Sequence, residues 1–219
     1  MKVVVIMPTY NERENIERML DILLNEEFPE TSKQGHEMHL LVVDDNSPDG
    51  TGDIVEKESK KYKNLHLLAG KKQGLGYAYI RGMKYAITKL KADAVMEMDA
   101  DFQHNPKDVK RLVAAAKDAD VVMGARYIPG GSVPKEWEAF RKFISWAGNL
   151  FARMVLLLPQ LHDLTTGFRL TKTNYLSKID LDSLLAKESF AYKMDLTFRL
   201  SQMGAKIVEV PIAFLPRKR

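Results

Sequence analysis

Short apolar runs alternate with stretches of helical period along the first 125 residues. Runs over 2–7, 38–43, 65–69, 94–98 and 121–124 are rich in Val, Leu, Ile, Ala and Met and read as buried strands. Residues 11–24 carry Ile16, Met19, Leu20, Leu23 and Leu24 at helical spacing, and 77–90 and 106–117 are further helices, with a more polar one at 51–62. Pro106 stands at the start of its helix, where proline is tolerated. This alternation predicts the α/β class: a mostly parallel central sheet with helices on both faces. Residues 25–37, polar and containing Pro29 and Gly35, are expected to form a surface loop.

The pattern loosens after Arg126. A Gly/Pro loop at 128–134 precedes a long helix at 135–158, then a strand at 165–171, helices at 173–179 and 192–203, and a last strand at 207–211. A single domain over 1–219 with an internal division near residue 127 is expected. In the long helix Trp137, Phe140, Phe143, Ile144, Leu150, Phe151 and Met154 repeat at helical spacing, with Trp146 and Leu157 widening the arc. Arg141, Lys142 and Arg153 flank it, and no acidic residue follows Glu138 within it. Such a stripe suits core packing, or a helix lying half-buried in a bilayer surface.

The chain has 219 residues, 45% of them apolar and 28% charged, enough to bury one sizeable core. It has no cysteine, which excludes disulfides and thiolate metal sites, and its five histidines form no HExxH-type cluster. A net charge of +4 favours anionic small partners but falls far short of the basic stripe of a nucleic-acid binder. No run of about 18 uncharged apolar residues exists to span a membrane, and the first apolar run is too short for a signal peptide.

The chemistry gathers behind the predicted strands. Asp99-Ala100-Asp101, followed by Gln103 and His104, comes directly after the run ending at Met98. Two carboxylates at that spacing form a hard oxygen site suited to Mg²⁺ or Mn²⁺, which in turn hold phosphates. Open α/β sheets place ligands at the carboxyl ends of their strands, so position and chemistry agree on a nucleotide diphosphate held through a metal. Pro8-Thr9-Tyr10-Asn11-Glu12 ends the first strand. Tyr10 can stack on a base and Glu12 can accept from its N–H groups, while Asn11 and Glu14 also fit a helix capping box. Asp44 and Asp45 end the second strand on opposite sides, one suited to ligand and the other to capping a loop. The Gly70–Gly76 stretch lacks a P-loop ending; its glycines suit tight packing at a helix start, with Lys71 and Lys72 solvated or facing phosphate. Arg126, behind the fifth strand, and Arg141 and Lys142, opening the long helix, either clamp phosphate or make structural ion pairs.

Taken in order, P-T-Y-N-E, V-D-D-N-S-P-D-G, D-A-D-F-Q-H-N-P, G-A-R-Y, the G-G-S-V loop, R-K at a helix start and D-L-T-T-G-F-R resemble the family 2 glycosyltransferases, specifically those acting on dolichyl (polyprenyl) phosphate with mannose. The resemblance covers essentially the whole chain. It implies a GT-A fold with a nucleotide-sugar half at 1–127 and an acceptor half at 128–219. It further implies a GDP-mannose donor, a polyprenyl or dolichyl phosphate acceptor, and a peripheral position on the cytoplasmic face of a membrane. By matching positions, Pro8, Tyr10, Glu12, Val43 and Asp45 would line the guanosine pocket, and Asp99, Ala100 and Asp101 would border ribose and diphosphate. Asp101 and Gln103 would ligate the metal with Asp99 assisting, and Arg126 and Arg141 would face donor or acceptor phosphates. A later R-x-x-G-x-S-K segment would close over the donor. Arg217 matches its arginine, and the sequence ends at Arg219, before the rest of that segment or any membrane anchor.

The implied reaction is an inverting transfer of mannose to a phosphate monoester. Rival readings are a polyprenyl-phosphate glucosyltransferase using UDP-glucose and a catalytically silent nucleotide-binding scaffold. A sugar-phosphate nucleotidyltransferase would need a G-x-G-T-R opening, which is missing.

Overall fold

The computed structural model describes residues 1–217. Its frame is a seven-stranded sheet of β1 (Lys2–Thr9), β2 (Glu37–Asp44), β3 (Leu65–Ala69), β4 (Ala94–Glu97), β5 (Val121–Ala125), β6 (Arg169–Lys172) and β7 (Ile207–Pro211), in the order β3-β2-β1-β4-β6-β5-β7. All pairings are parallel except those of β6, which runs antiparallel to both β4 and β5. The sheet is therefore mostly parallel, as predicted. β6, from beyond residue 127, lies between two strands of the first half.

β1 shows why these runs are strands. Val3, Val4, Val5, Ile6 and Met7 are all fully buried, as expected of a central parallel strand covered on both faces. Alternate side chains enter opposite cores. Val3, Val5 and Met7 join the cluster with Ile16 and Met19 of α1 (Arg13–Asp21) and Leu112 of α5 (Val109–Ala115). Val4 and Ile6 join the cluster with Tyr79 and Met83 of α4 (Leu75–Thr88) and Leu196 of α8 (Tyr192–Gln202).

Two expectations are corrected and one open alternative is decided. Residues 25–32 are not a loop: α1 runs on through a π segment, Ile22–Glu27, into α2 (Phe28–Ser32), and only 33–36 form a turn before β2. Leu23, Leu24 and Phe28 continue the buried face through this polar stretch, and Pro29 falls in the first turn of α2. The Asn11/Glu14 capping box does not form: Asn11 has φ 59° and the helix is preceded by Glu12, with no side-chain cap. The long helix α6 spans Ala139–Val155, and its apolar stripe faces outward rather than into the core. Phe140, Phe143, Ile144, Trp146, Phe151 and Met154 are all at least half exposed, whereas the buried positions are Asn149 and Ala152.

The parallel direction of β1, β2 and β4 sends the loops after Thr9, Asp44 and Glu97 to one edge. The antiparallel β6 begins at that same edge, with Arg169 beside Glu97, so the loop before β6 joins them.

Candidate active site

Two cavities open at this edge. The first, of about 350 Å³, takes Pro8, Tyr10 and Glu12 from the end of β1 and Asp45 from the end of β2. Asp99, Ala100 and Asp101 form its wall after β4, and Arg217 covers it from the far end of the chain. Eight predicted residues thus converge there. Val43 does not join them: its side chain is fully buried against α4, where a Cβ on Gly82 would stand 3.0 Å from it.

The adjacent aspartates divide their work as their alternation predicts. Asp44 caps the loop, accepting from the Thr9 hydroxyl (2.8 Å), the Ser47 N–H (2.9 Å) and the Ser47 hydroxyl (2.6 Å). Asp45 faces the cavity and is held by an ion pair with Arg81 of α4. Gly70 makes room for that guanidinium, because a Cβ there would lie 2.3 Å from the Arg81 Cζ. Lys72, from the glycine-containing loop, places its ammonium 3.3 Å from the centroid of the Tyr10 ring.

The D-A-D carboxylates are not equivalent. Asp99 Oδ1 accepts from the Tyr79 hydroxyl at 2.6 Å, and its backbone N–H donates to His104 Nδ1 at 3.0 Å. Burial opposes ionisation of Asp99, but His104, Lys193 and the Tyr79 hydrogen bond outweigh it and hold its pKa below the ordinary value. Burial, then the Asp99 charge, pushes Asp101 up to about 6 against the Gln103 N–H and Arg217. His104 is pushed down to about 4, chiefly by burial. It is neutral at pH 7, in keeping with Nδ1 acting as an acceptor.

The second cavity, of about 720 Å³, has an apolar wall from Trp137, Phe140, Ile144, Phe190 and Phe214. Arg126, Arg141, Gln103, His104 and Lys193 supply its polar groups. Arg126 is not free to clamp a phosphate with its whole fork. Its Nε and Nη2 donate to the two oxygens of the buried Asp163, at 2.7 and 2.6 Å, and Nη2 also reaches the Thr165 hydroxyl. The structural ion pair is thus the reading the geometry favours for Arg126. Arg141 stands at the exposed rim, its guanidinium 4.0 Å from the Trp137 ring centroid. Lys142 donates to the Lys135 carbonyl instead.

Gln103 lines the second cavity while Asp101 lines the first; Asp99 and Leu75 line both. Among the described residues no three His, Cys, Asp or Glu side chains are grouped to hold a metal ion. A cation at the D-A-D pair would therefore complete its shell with Gln103, water or ligand oxygens. The sequence reading missed Tyr79, Asp163 and Lys193. Asp163 opens the D-L-T-T-G-F-R motif, which was the available signal, whereas nothing in the local pattern of Tyr79 or Lys193 separates them from ordinary helix residues.

Residues 4–180 match the family described as Glycosyl transferase family 2. The chain belongs to that family. This glycosyltransferase is 41% identical over its whole length to the undecaprenyl-phosphate mannosyltransferase of Micrococcus luteus, covering 85% of that protein. It is 36% identical to the polyprenol monophosphomannose synthase of Mycolicibacterium smegmatis, with 99% of this chain and 78% of that one aligned. Its GT-A fold is shared with a mannosyltransferase of Pyrobaculum calidifontis solved in complex with GDP-Man and Mn²⁺, at TM-score 0.61 and 19% identity, covering 98% of this chain and 56% of that one.

Proposed function

We propose that this glycosyltransferase moves mannose from GDP-mannose to a polyprenyl or dolichyl phosphate, with inversion at the anomeric carbon. The observation that carries the proposal is that Asp99 lines both cavities, so a donor in one and an acceptor in the other meet at its carboxylate. The names and substrates of the similar proteins supply the sugar and the lipid.

In the first cavity Tyr10 offers a ring face to the base, while Glu12 and Asp45 accept from its N–H groups. Asp101 suits a divalent cation. It is a carboxylate whose charge is made costly by burial and by Asp99, and Arg217 Nε lies only 3.3 Å from its Oδ2. Asp101 and Gln103 would hold Mg²⁺ or Mn²⁺ with Asp99 assisting, and the ion would neutralise charge building on the leaving diphosphate.

No catalytic base is needed. A phosphate monoester has its second pKa at about 6 and is already largely ionised at neutral pH. The chain's task is to orient that phosphate, and Arg141 at the rim of the second cavity is placed to do so. Inversion requires the acceptor phosphate to approach opposite the leaving diphosphate, and a second cavity that adjoins the donor cavity at Asp99 is compatible with that approach.

The outward apolar face of α6 supports peripheral attachment to a membrane surface, and we place it on the cytoplasmic face by the family resemblance alone. Phe140 and Ile144 belong both to that face and to the acceptor cavity, so a prenyl chain can stay in lipid while its phosphate enters. Among the described residues no helix is long and apolar enough to cross a membrane.

The test is to incubate the purified protein with Mn²⁺, a polyprenyl phosphate in vesicles, and labelled GDP-mannose or UDP-glucose in parallel. Mannosyl-phosphoryl-polyprenol from GDP-mannose is expected. A glucosyl lipid instead would reassign the donor, and no lipid product from either would remove the proposal.

A further inference from the structure

Lys193, the second residue of α8, has a side chain that is 1% exposed, yet it reaches the wall of the second cavity. Its Nζ donates to the Gly167 carbonyl at 3.2 Å and lies 3.4 Å from Glu97 Oε1. The Tyr79 ring centroid is 4.3 Å away. Position 167 has to be glycine, because a Cβ would come within 2.8 Å of His104 Cε1 and 3.2 Å of the lysine Nζ. Burying an ammonium is costly unless its charge is used or balanced.

The balance here is spread over a cluster of four charged groups. Glu97 faces two buried cations, Lys193 and Arg169, the latter with Nε 4.0 Å from Glu97 Oε2. Arg169 Nη1 donates to the Lys193 carbonyl, while its Nε and Nη2 have no hydrogen-bond partner. Asp99, which Lys193 helps to hold ionised, is the second carboxylate of the cluster, and of these four charged groups only Lys193 and Asp99 line the second cavity. Asp99 is the next carboxylate along the chain, and Tyr79 links the two: its hydroxyl holds Asp99 while its ring covers the ammonium. Of the other cavity cations, Arg126 is neutralised by Asp163 and Arg141 is at the solvent rim, where its field is screened.

We propose that Lys193 is a positioning residue for the acceptor, its buried ammonium presented at the wall of the second cavity and selecting a phosphate monoester over an uncharged alcohol. The inference rests on the acceptor reading above. Buried charges act through low dielectric and need no reorganisation when the anion arrives. Lys193→Met would not strand Glu97, because Arg169 still pairs with it.

The experiment is calorimetric binding of farnesyl phosphate, farnesol and GDP with Mn²⁺ to the wild type, Lys193→Met and Lys193→Gln, with fold checked by circular dichroism. Both variants should bind farnesyl phosphate about tenfold or more weakly, the scale of losing a charged hydrogen-bonding partner. Farnesol affinity should stay within about twofold on the same scale, and GDP with Mn²⁺ should lose far less than farnesyl phosphate. Unchanged farnesyl phosphate affinity in a folded variant overturns the inference. So does equal weakening of farnesol, which would make Lys193 a packing residue. If the wild type binds farnesyl phosphate no better than farnesol, the acceptor reading falls as well. Wild-type preference for the phosphate that survives in the variants removes only the role of Lys193.

Discussion

Arg217 Nε lies 3.3 Å from Asp101 Oδ2, and its Nη2 lies 3.2 Å from Glu12 Oε1. One exposed cation thus bridges the carboxylate suited to metal and the carboxylate suited to the base. A divalent ion and this guanidinium compete for Asp101, whereas a donor diphosphate would draw the arginine away. Arg217→Ala should therefore raise Mn²⁺ affinity without nucleotide several-fold and lower GDP affinity in its presence. Calorimetric titration of each ligand checks both signs, and a fall in both affinities would show that Arg217 does not compete with the ion.

Asp101→Ala removes an oxygen donor at the position where the leaving diphosphate charge develops. Turnover should fall by at least about 10²-fold, the scale of losing an oriented electrostatic stabiliser. Unchanged turnover in a folded variant would dismiss the metal assignment.

The raised pKa of Asp101 gives a pH signature. Its carboxyl has to ionise before a cation binds, so Mn²⁺ affinity should fall as the pH drops through about 6. Without metal the sign for stability is opposite. The folded protein holds this proton more tightly than the unfolded chain, so the contribution is present below the ordinary 3.8 and lost as pH rises through about 6. Titration of the carboxyl by NMR, with and without Mn²⁺, follows both effects.

Arg126 and Asp163 form a buried bidentate pair, so either single truncation leaves a charge unpaired. Arg126→Ala or Asp163→Ala should cost about 3–5 kcal/mol of stability, measured by urea unfolding. Arg141→Ala should leave stability nearly unchanged and weaken acceptor use far more than GDP binding. Equal loss of both would move Arg141 to the donor site.

The α6 face predicts vesicle binding that strengthens with anionic lipid and weakens with salt. Phe143→Ser together with Phe151→Ser should reduce co-sedimentation several-fold at unchanged fold, because both side chains are exposed in the free protein, at 57% and 65%. Absence of wild-type binding to anionic vesicles would leave the face to another partner.

Strand positions and the donor-side carboxylates were legible in the chain itself. A buried parallel strand has to be a continuous apolar run, and a ligand loop follows its carboxyl end, so Tyr10, Glu12, Asp45, Asp99 and Asp101 could be located before any fold was known. The apolar period of α6 was equally plain, but a period defines a stripe and says nothing of what covers it. Only packing placed Asn149 inward and Phe143 outward. The role of Arg126 depended on Asp163, 37 positions away, and that of Lys193 on Glu97, Gly167 and Tyr79 from three separate elements. Local sequence determines which side chains a strand or helix presents on each side. Whether a charge finds a partner, and so whether it is left for a ligand, is decided only when distant segments are brought to the same few ångströms.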